Sequence, residues 1–289
     1  MQPIVAAVDG SDGSAAALRW ARRESVLHGT SLTAVMTWGS LDQHHPDGGT
    51  ETRPGYDQAA ADAALDAFVV AALGEEAARD VARLALDDLA VPGLVGASTD
   101  AGLLVVGARG LGGFRGLLVG SVSQGCLAHA TCPVAVVRDV PQHDEGSTER
   151  IVVGIDGSPA ATAALGWALD EARARQARLD VVHAWSSPSV VAYPGALSID
   201  SGPFEAGARH MVTSALDHAD VHGLARPPEP IVAVGGASGV LLDVAEGADL
   251  VVVGSHGVGG FRGMLLGSVS HHVSDHAPCP VVVIRRSDS

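Results

Sequence analysis

The chain has 289 residues and a formal net charge of −15 at neutral pH, and 47% of its residues are apolar while 3% are aromatic. This charge argues against a nucleic-acid partner, which would require clustered lysines and arginines. No run of about 20 apolar residues is present to span a membrane, and three cysteines are too few for a disulfide framework. The amino terminus lacks the basic segment of a signal peptide, so we expect a cytoplasmic protein without a membrane partner.

In the first half, short apolar runs predict five strands: Ile4–Val8, Ser31–Trp38, Val81–Leu86, Leu103–Gly107 and Pro133–Val137. Helical periodicity predicts the intervening helices: Ser14–Leu27, Asp57–Asp80, Pro92–Ser98 and Ser121–His129. Residues 39–56 are polar and rich in glycine and proline, which predicts a loop.

The second half repeats the first with an offset of 147 residues: IVAAVDGS at Ile4–Ser11 returns as IVVGIDGS at Ile151–Ser158. Its predicted strands are Ile151–Ile155, Leu179–Ala184, Pro230–Val234, Leu250–Val253 and Val281–Ile284. An offset this long exceeds the period of solenoid repeats and indicates two whole domains. We expect domains at 1–139 and 151–289, with a polar linker at 140–150. Alternating strands and helices predict an α/β fold, in which helices cover both faces of a parallel sheet and ligands bind at the carboxyl ends of the strands.

A glycine pattern follows the fourth strand of each half. In the first half Gly107 and Gly110 are separated by two residues, and nine residues then precede Gly120-Ser121. The second half has the same spacing at Gly254, Gly257 and Gly267-Ser268. Glycines allow close approach of the backbone to a phosphate, and a helix that begins after such a loop directs its amides at an anion.

Four side chains complete the predicted phosphate sites. We expect Ser121 and Ser268 to cap the following helices and to donate a hydroxyl to a phosphate. Arg115 and Arg262 lie in the repeated GGFRG and are candidates for pairing with a terminal phosphate. A divalent cation is expected with the phosphates, because the overall negative charge of the chain repels a polyphosphate.

The loops differ from two familiar phosphate-binding motifs. No lysine precedes the serine as in a Walker P-loop, and no GxGxxG follows the first strand. Glycine-rich loops also form tight turns without any ligand. Two copies with identical spacing, each between a strand and a helix, favour the phosphate-binding interpretation.

These motifs make the chain resemble a tandem universal stress protein over almost its whole length. The resemblance implies two doubly wound domains with five-stranded parallel sheets of order 3-2-1-4-5, and ATP, with Mg²⁺, bound at the ends of strands one and four. It places Asp9 and Asp156 against the adenine. It assigns the glycines and serines of both loops to ribose and phosphate: Gly107, Gly110, Gly120, Ser121, Gly254, Gly257, Gly267 and Ser268. Thr37 and Ala184 match the adenine pocket by position only.

The two halves depart from each other near the third strand. Val234-Gly235-Gly236 in the second half corresponds to Asp87-Asp88-Leu89 in the first, so we expect the first site to be shaped differently there. His272 and His276 have the i, i+4 spacing of a zinc pair, but a solvated helix end is the simpler interpretation because no third ligand is fixed by the sequence.

Three classes of function remain. We favour an ATP-binding regulatory protein whose nucleotide state changes its protein partners. A slow ATPase or nucleotidyl-transferring enzyme is the alternative, although no catalytic constellation is repeated between the halves. The third class is a structural dimer module without nucleotide, against which the intact glycine patterns argue.

The last strand of each half is rich in valine and is expected at the edge of its sheet, where it invites pairing. The family resemblance implies that the two edges meet across a pseudo-twofold axis, so that one chain forms an internal pseudo-dimer. It also implies larger homo-oligomers.

Overall fold

The computed structural model describes residues 2–39, 57–110, 119–138, 148–186, 201–259 and 265–285. Its strands are β1 (Ile4–Ala7), β2 (Leu32–Thr37), β3 (Val81–Leu86), β4 (Leu103–Gly107), β5 (Val134–Val137), β6 (Arg150–Gly154), β7 (Arg178–Trp185), β8 (Glu229–Val234), β9 (Leu250–Gly254) and β10 (Val281–Ile284). Its helices are α1 (Asp12–Leu27), α2 (Gln58–Leu73), α3 (Glu75–Ala78), α4 (Ala90–Ala97), α5 (Ser121–His129), α6 (Pro159–Arg175), α7 (Gly202–Asp217), α8 (Ala237–Val244) and α9 (Ser268–His276). Within these ranges, every helix is too short or too polar to cross a bilayer.

The strands of each half are parallel and ordered as predicted. The order is β3-β2-β1-β4-β5 in the first half and β8-β7-β6-β9-β10 in the second. β5 and β10 pair antiparallel, so the two predicted sheets merge into one continuous sheet of ten strands. The predicted edge strands therefore lie at the centre of the molecule.

The register of the central pair shows a pseudo-twofold relation between the halves. Ala135 lies directly opposite Val282, and these two residues occupy equivalent positions in the repeat. Val134 and Val136 lie opposite Val283 and Val281. The pseudo-twofold axis thus passes between Ala135 and Val282.

Helices cover both faces of the sheet, as the α/β prediction requires. Strand residues alternate between two apolar clusters, so that Ile4 and Ala6 join one and Val5 joins the other. The first cluster packs against α1, α2, α6 and α7, and the second packs against α4, α5, α8 and α9. Few aromatic residues are needed, because strands and helices meet through valine, alanine and leucine.

Most element boundaries agree with the sequence prediction to within two residues, and two differences change how the chain is divided. The single helix predicted over Asp57–Asp80 is interrupted by Gly74, which has φ of 80° and ends α2 at Leu73. A glycine adopts this backbone conformation readily, whereas a residue with a side chain is strained there. Arg150, placed in the linker by the sequence prediction, is the first residue of β6. Residues 140–147 of that linker and 40–56 of the predicted loop lie outside the described ranges.

Each half also supplies an arginine to the other half. Arg138 follows β5 and donates a hydrogen bond of 2.9 Å to the backbone oxygen of Ser274 in α9. Its repeat equivalent, Arg285, donates to the backbone oxygens of Leu127 and Ala128 in α5. A cation suits the last turn of a helix, where carbonyl groups lack intrahelical partners and the dipole is negative.

The three cysteines, Cys126, Cys132 and Cys279, are free and buried. Burial is the main cause that raises the pKa of the Cys126 and Cys279 thiols to about 12. These side chains therefore remain protonated and unreactive at neutral pH.

Replacing Ala135 by aspartate should separate the halves. Ala135 is fully buried opposite Val282, so the substitution places an unpaired charge at the central strand pair. We expect a loss of about 3–5 kcal/mol in the free energy of unfolding, measured by urea denaturation. Ala82→Asp on the exposed side of β3 is the matched control. Similar losses for the two variants would contradict the central role of the β5–β10 pairing.

Candidate functional site

The carboxyl end of β1 leads into a turn built on Asp9. The Oδ1 atom of Asp9 accepts hydrogen bonds from the amide of Ser11 at 3.0 Å and from its hydroxyl at 2.6 Å. Gly10 between them has φ of 87°, a conformation that favours glycine. The Ser11 hydroxyl also accepts from the amide of Ser14 and caps α1. The Asp-Gly-Ser sequence therefore joins the strand end to the first turn of α1.

The second half repeats this turn and shows how it holds the glycine loop. The Oδ1 atom of Asp156 accepts from the amide of Ser158 at 2.9 Å, and Oδ2 accepts from the amide of Val258 at 2.9 Å. Ser158 caps α6 through the amide of Ala161. One carboxylate thus connects the end of β6 to the loop that follows β9.

The second glycine of each pattern lies directly against this aspartate. A Cβ atom on Gly110 would collide with Oδ2 of Asp9, and a Cβ atom on Gly257 would collide with Oδ2 of Asp156. The loop backbone therefore passes directly against the carboxylate in both halves. This close approach brings the ends of β1 and β4, and of β6 and β9, into one site.

The first glycine of each pattern has a packing role. A Cβ atom on Gly107 would lie 2.8 Å from the backbone carbon and oxygen of Gly13. On Gly254 it would lie 2.7 Å from the backbone carbon of Ala160. Glycine at the end of β4 or β9 thus allows the first turn of α1 or α6 to pack onto the strand.

The predicted capping role of Ser121 and Ser268 is wrong. Both serines are the first residues of their helices, and the N-cap residues are Gly120 and Gly267, for which no side-chain cap is possible. A serine hydroxyl caps a helix from the N-cap position, which lies one residue earlier in the chain. Within the described part of the chain, the amides of the first turns of α5 and α9 have no side-chain cap.

Hydroxyl groups two residues further along hold these helices in place. Ser123 donates a hydrogen bond of 2.6 Å to the backbone oxygen of Gly107, and Ser270 donates one of 2.6 Å to that of Gly254. This role was not predicted from the sequence, although the repeated GSVS was its signal. The amino terminus of each helix is thereby fixed beside the strand end.

Four predicted site residues remain, two of which lie near the ends of neighbouring strands and two of which are not described by the structure. Thr37 and Ala184 are half-buried near the carboxyl ends of β2 and β7, the strands that pair with β1 and β6. Arg115 and Arg262 lie outside the described residues.

The two sites differ at the third strand, as predicted. In the first half the backbone oxygen of Asp88 accepts from Gly39 at 3.1 Å, and its carboxylate accepts from the amide of Leu89 at 2.7 Å. In the second half Gly235 has φ of 150° and donates to the backbone oxygen of Trp185. The first site is bordered by an acidic turn and the second by a glycine turn.

A groove of about 710 Å³ extends from the second site between α6 and α7. Its lining includes Ile155 and Gly157, which flank Asp156 in the chain, Leu165 of α6, Met211 of α7, and His218. The second half therefore has an open, partly apolar cleft that starts at the strand end.

Comparison with known proteins gives a consistent result. The model of the universal stress protein family matches residues 1–138 and 147–285. A universal stress protein of Mycobacterium tuberculosis (strain H37Rv) is 35% identical over 294 residues, covering 98% of this chain and 96% of the relative. One from Mycolicibacterium smegmatis is 34% identical over 299 residues, with 98% and 96% covered. The crystal structure of a universal stress protein from Archaeoglobus fulgidus has a TM-score of 0.66 at 21% identity, covers 98% of each chain, and supports the fold.

Replacing Gly257 by alanine should disturb the second site. The new methyl group collides with Asp156 and must displace its carboxylate from the amides of Ser158 and Val258. We expect a loss of about 1–2 kcal/mol in the free energy of unfolding, measured by urea denaturation. Gly259→Ala in the same loop is the control, because no described atom lies within 4 Å of a Cβ there. Equal effects of the two substitutions would argue against the aspartate–glycine contact.

Proposed function

Because the chain belongs to the universal stress protein family, we propose that it binds one ATP molecule in each half and acts as a nucleotide-dependent regulatory protein. In this proposal ATP lies at the carboxyl ends of β1 and β4 in the first half, and of β6 and β9 in the second. Nucleotide occupancy changes the surface offered to protein partners.

The observation that carries the proposal is the repeated contact between an aspartate and a glycine loop. A side chain at Gly110 or Gly257 would collide with the carboxylate of Asp9 or Asp156 and could be accommodated only if that carboxylate moved. The same arrangement in both halves supports a common ligand, since a loop that only reverses the chain does not need its backbone to contact a carboxylate at the same position in both halves.

The helix that follows each loop suits the phosphates. Four amides at a helix amino terminus lack intrahelical partners, and the helix dipole is positive there. Glycine at the N-cap of α5 and α9 leaves this end without a side-chain cap among the described residues. A negatively charged phosphate is the group that such an end binds.

The side chains described at the site are suited to Mg²⁺ only if the ion is bound together with ATP. The two oxygens of Asp156 accept from backbone amides, which leaves the carboxylate poorly suited to hold a metal alone. Mg²⁺ would accordingly be held by phosphate oxygens and water.

We propose a binding role rather than catalysis. His256 follows Gly254 by two residues and is half-buried, with Nδ1 3.2 Å from the Ser255 hydroxyl. The equivalent residue in the first half is Arg109, which cannot act as a general base at neutral pH. A shared hydrolytic mechanism therefore lacks a repeated base in the described part of the two loops.

Titration with Mg-ATP tests the binding proposal. We expect two sites per chain, and a ligand at about 100 times its Kd should add about 2.7 kcal/mol of stability per site. Gly110→Val and Gly257→Val should each remove one site, since the added side chain displaces the aspartate. Isothermal titration calorimetry counts the sites, and Gly259→Ala should retain both. Absence of both binding heat and a thermal shift at millimolar Mg-ATP would refute the proposal.

Measuring the rate of ATP hydrolysis tests the proposal that the protein binds ATP without acting as an enzyme. We expect phosphate release from ATP to be far slower than the roughly 10 s⁻¹ typical of enzymes. A phosphate-release assay on the purified full chain measures it, with the Gly110→Val/Gly257→Val double variant as the control for contaminants. Enzyme-like turnover that disappears in the double variant would establish the protein as an ATPase.

A further inference from the structure

Helices α1 and α6 meet across the pseudo-twofold axis and bring four ionisable side chains together. These are Glu24 and His28 from the first half and Glu171 and Arg175 from the second, here called the interdomain charge cluster. Glu24 and Glu171 are only 2% and 1% exposed. The contact lies on the face of the sheet opposite to α5 and α9.

The two basic side chains use different oxygens of the same carboxylates. Arg175 contacts Oε1 of Glu24 and, at 2.5 Å, Oε1 of Glu171. The Nε2 atom of His28 lies 2.9 Å from Oε2 of Glu171 and 3.8 Å from Oε2 of Glu24. Each carboxylate is thus held between an arginine and a histidine.

The pseudo-twofold relation explains this pattern. Glu24 and Glu171 are equivalent positions in the repeat, and so are His28 and Arg175. Each half therefore offers one carboxylate and one basic side chain to the other. The symmetry is broken chemically, because Arg175 is always charged whereas His28 is charged only when protonated.

Charge balance in the cluster consequently requires one proton. With His28 neutral, two buried carboxylates face a single arginine, and Glu149, which is 36% exposed, adds a third carboxylate 2.8 Å from Arg175. Unbalanced charge is costly to bury. A proton on His28 or on one of the two buried carboxylates makes the four side chains neutral as a group.

The pKa values of Glu24 and Glu171 agree with the presence of one proton in the cluster. Burial, reinforced by the nearby Glu171 and only partly opposed by Arg175, raises the pKa of Glu24 to about 8. Burial also acts to raise the pKa of Glu171, but the hydrogen bond from His28 and the charge of Arg175 outweigh it and lower that pKa to about 2. Between these two pH values the pair holds one proton.

We propose that the interdomain charge cluster is a proton-binding site that holds the two halves together, and that loss of its proton in mildly alkaline solution loosens the contact between α1 and α6. Among the described residues, the ionisable groups that contact His28 are Glu24 from its own helix and Glu171 from α6. Arg175 and Glu149 lie behind them. The inference concerns the junction of the halves and is independent of nucleotide binding.

The direction of the pH effect follows from linkage. The folded-state pKa of Glu24, about 8, lies above its ordinary value of 4.5. Folding therefore takes up a proton between these values, so the stabilisation that Glu24 contributes is fully present below pH 4.5 and is lost as the pH rises through about 8. The full chain without nucleotide should become less stable across this interval.

Substitution of His28 by arginine tests the proposal. This change copies Arg175 into the equivalent position and makes the cluster neutral without a proton. We expect the melting temperature of the wild-type chain to fall by about 4 °C between about pH 6 and about pH 9. The decrease should be much smaller in His28→Arg and in Glu24→Gln, which mimics the protonated carboxyl and carries the test if the arginine variant does not fold.

A matched control and a local measurement separate this effect from general stability. His218 is the C-cap of α7 as His28 is of α1, and His218→Arg should retain the wild-type pH dependence. Hydrogen-exchange protection in the last turns of α1 and α6 should decrease at about pH 9, relative to α4 and α8. In the His28→Arg variant this local protection should be retained.

Two results would overturn the proposal. The first is a pH profile for His28→Arg and Glu24→Gln that runs parallel to the wild-type profile. The second involves Zn²⁺, because one nitrogen or oxygen atom from each of Glu24, His28 and Glu171 lies within 4.8 Å of the other two. If one equivalent of Zn²⁺ stabilises the wild-type chain but not His28→Arg, the missing positive charge is supplied by a metal ion and not by a proton.

Discussion

The antiparallel pairing of β5 with β10 is the interaction on which the rest of the structure depends. Every residue of both strands is buried, and in a separate half one side of this strand would present an apolar edge to water. Pairing turns both edges into interior strands and determines the pseudo-twofold axis. That axis places α1 against α6 on one face, and on the other face it brings each strand-end arginine to the opposite helix.

The outer edge strands of the same sheet, β3 and β8, carry residues that disfavour pairing with a further strand. Arg83 on β3 donates to the backbone oxygens of Ala78 and Val81 and pairs with Asp66. Its repeat equivalent on β8 is Pro230, which has no amide to offer a further strand. A charged side chain and a proline both discourage pairing at an exposed edge. The central edges instead carry valine, so the sheet joins at its middle and ends at both sides.

The strand order predicted from the family resemblance is confirmed within each half. The recurrence of Asp-Gly-Ser and of the spaced glycines is what indicated the candidate sites. The sequence-based prediction was wrong where a single residue determines the local backbone geometry. Gly74 interrupts an alanine-rich segment that otherwise has helical character throughout, and the serine after Gly120 lies one position too late to cap α5. The interdomain charge cluster was invisible for another reason: Glu24 and Arg175 are 151 residues apart, and nothing in the repeat indicates which faces of the two halves meet.

The candidate sites and the junction between the halves lie at opposite ends of the same two helices, α1 and α6. Ser11 caps α1 within the turn that holds Asp9, and the same helix of 16 residues ends at His28 in the interdomain charge cluster. At 1.5 Å per residue these ends are about 24 Å apart. α6 repeats this connection from Ser158 to Arg175. Because each helix packs along its length against the buried sheet, the turn around each aspartate is positioned relative to the other half through one continuous element.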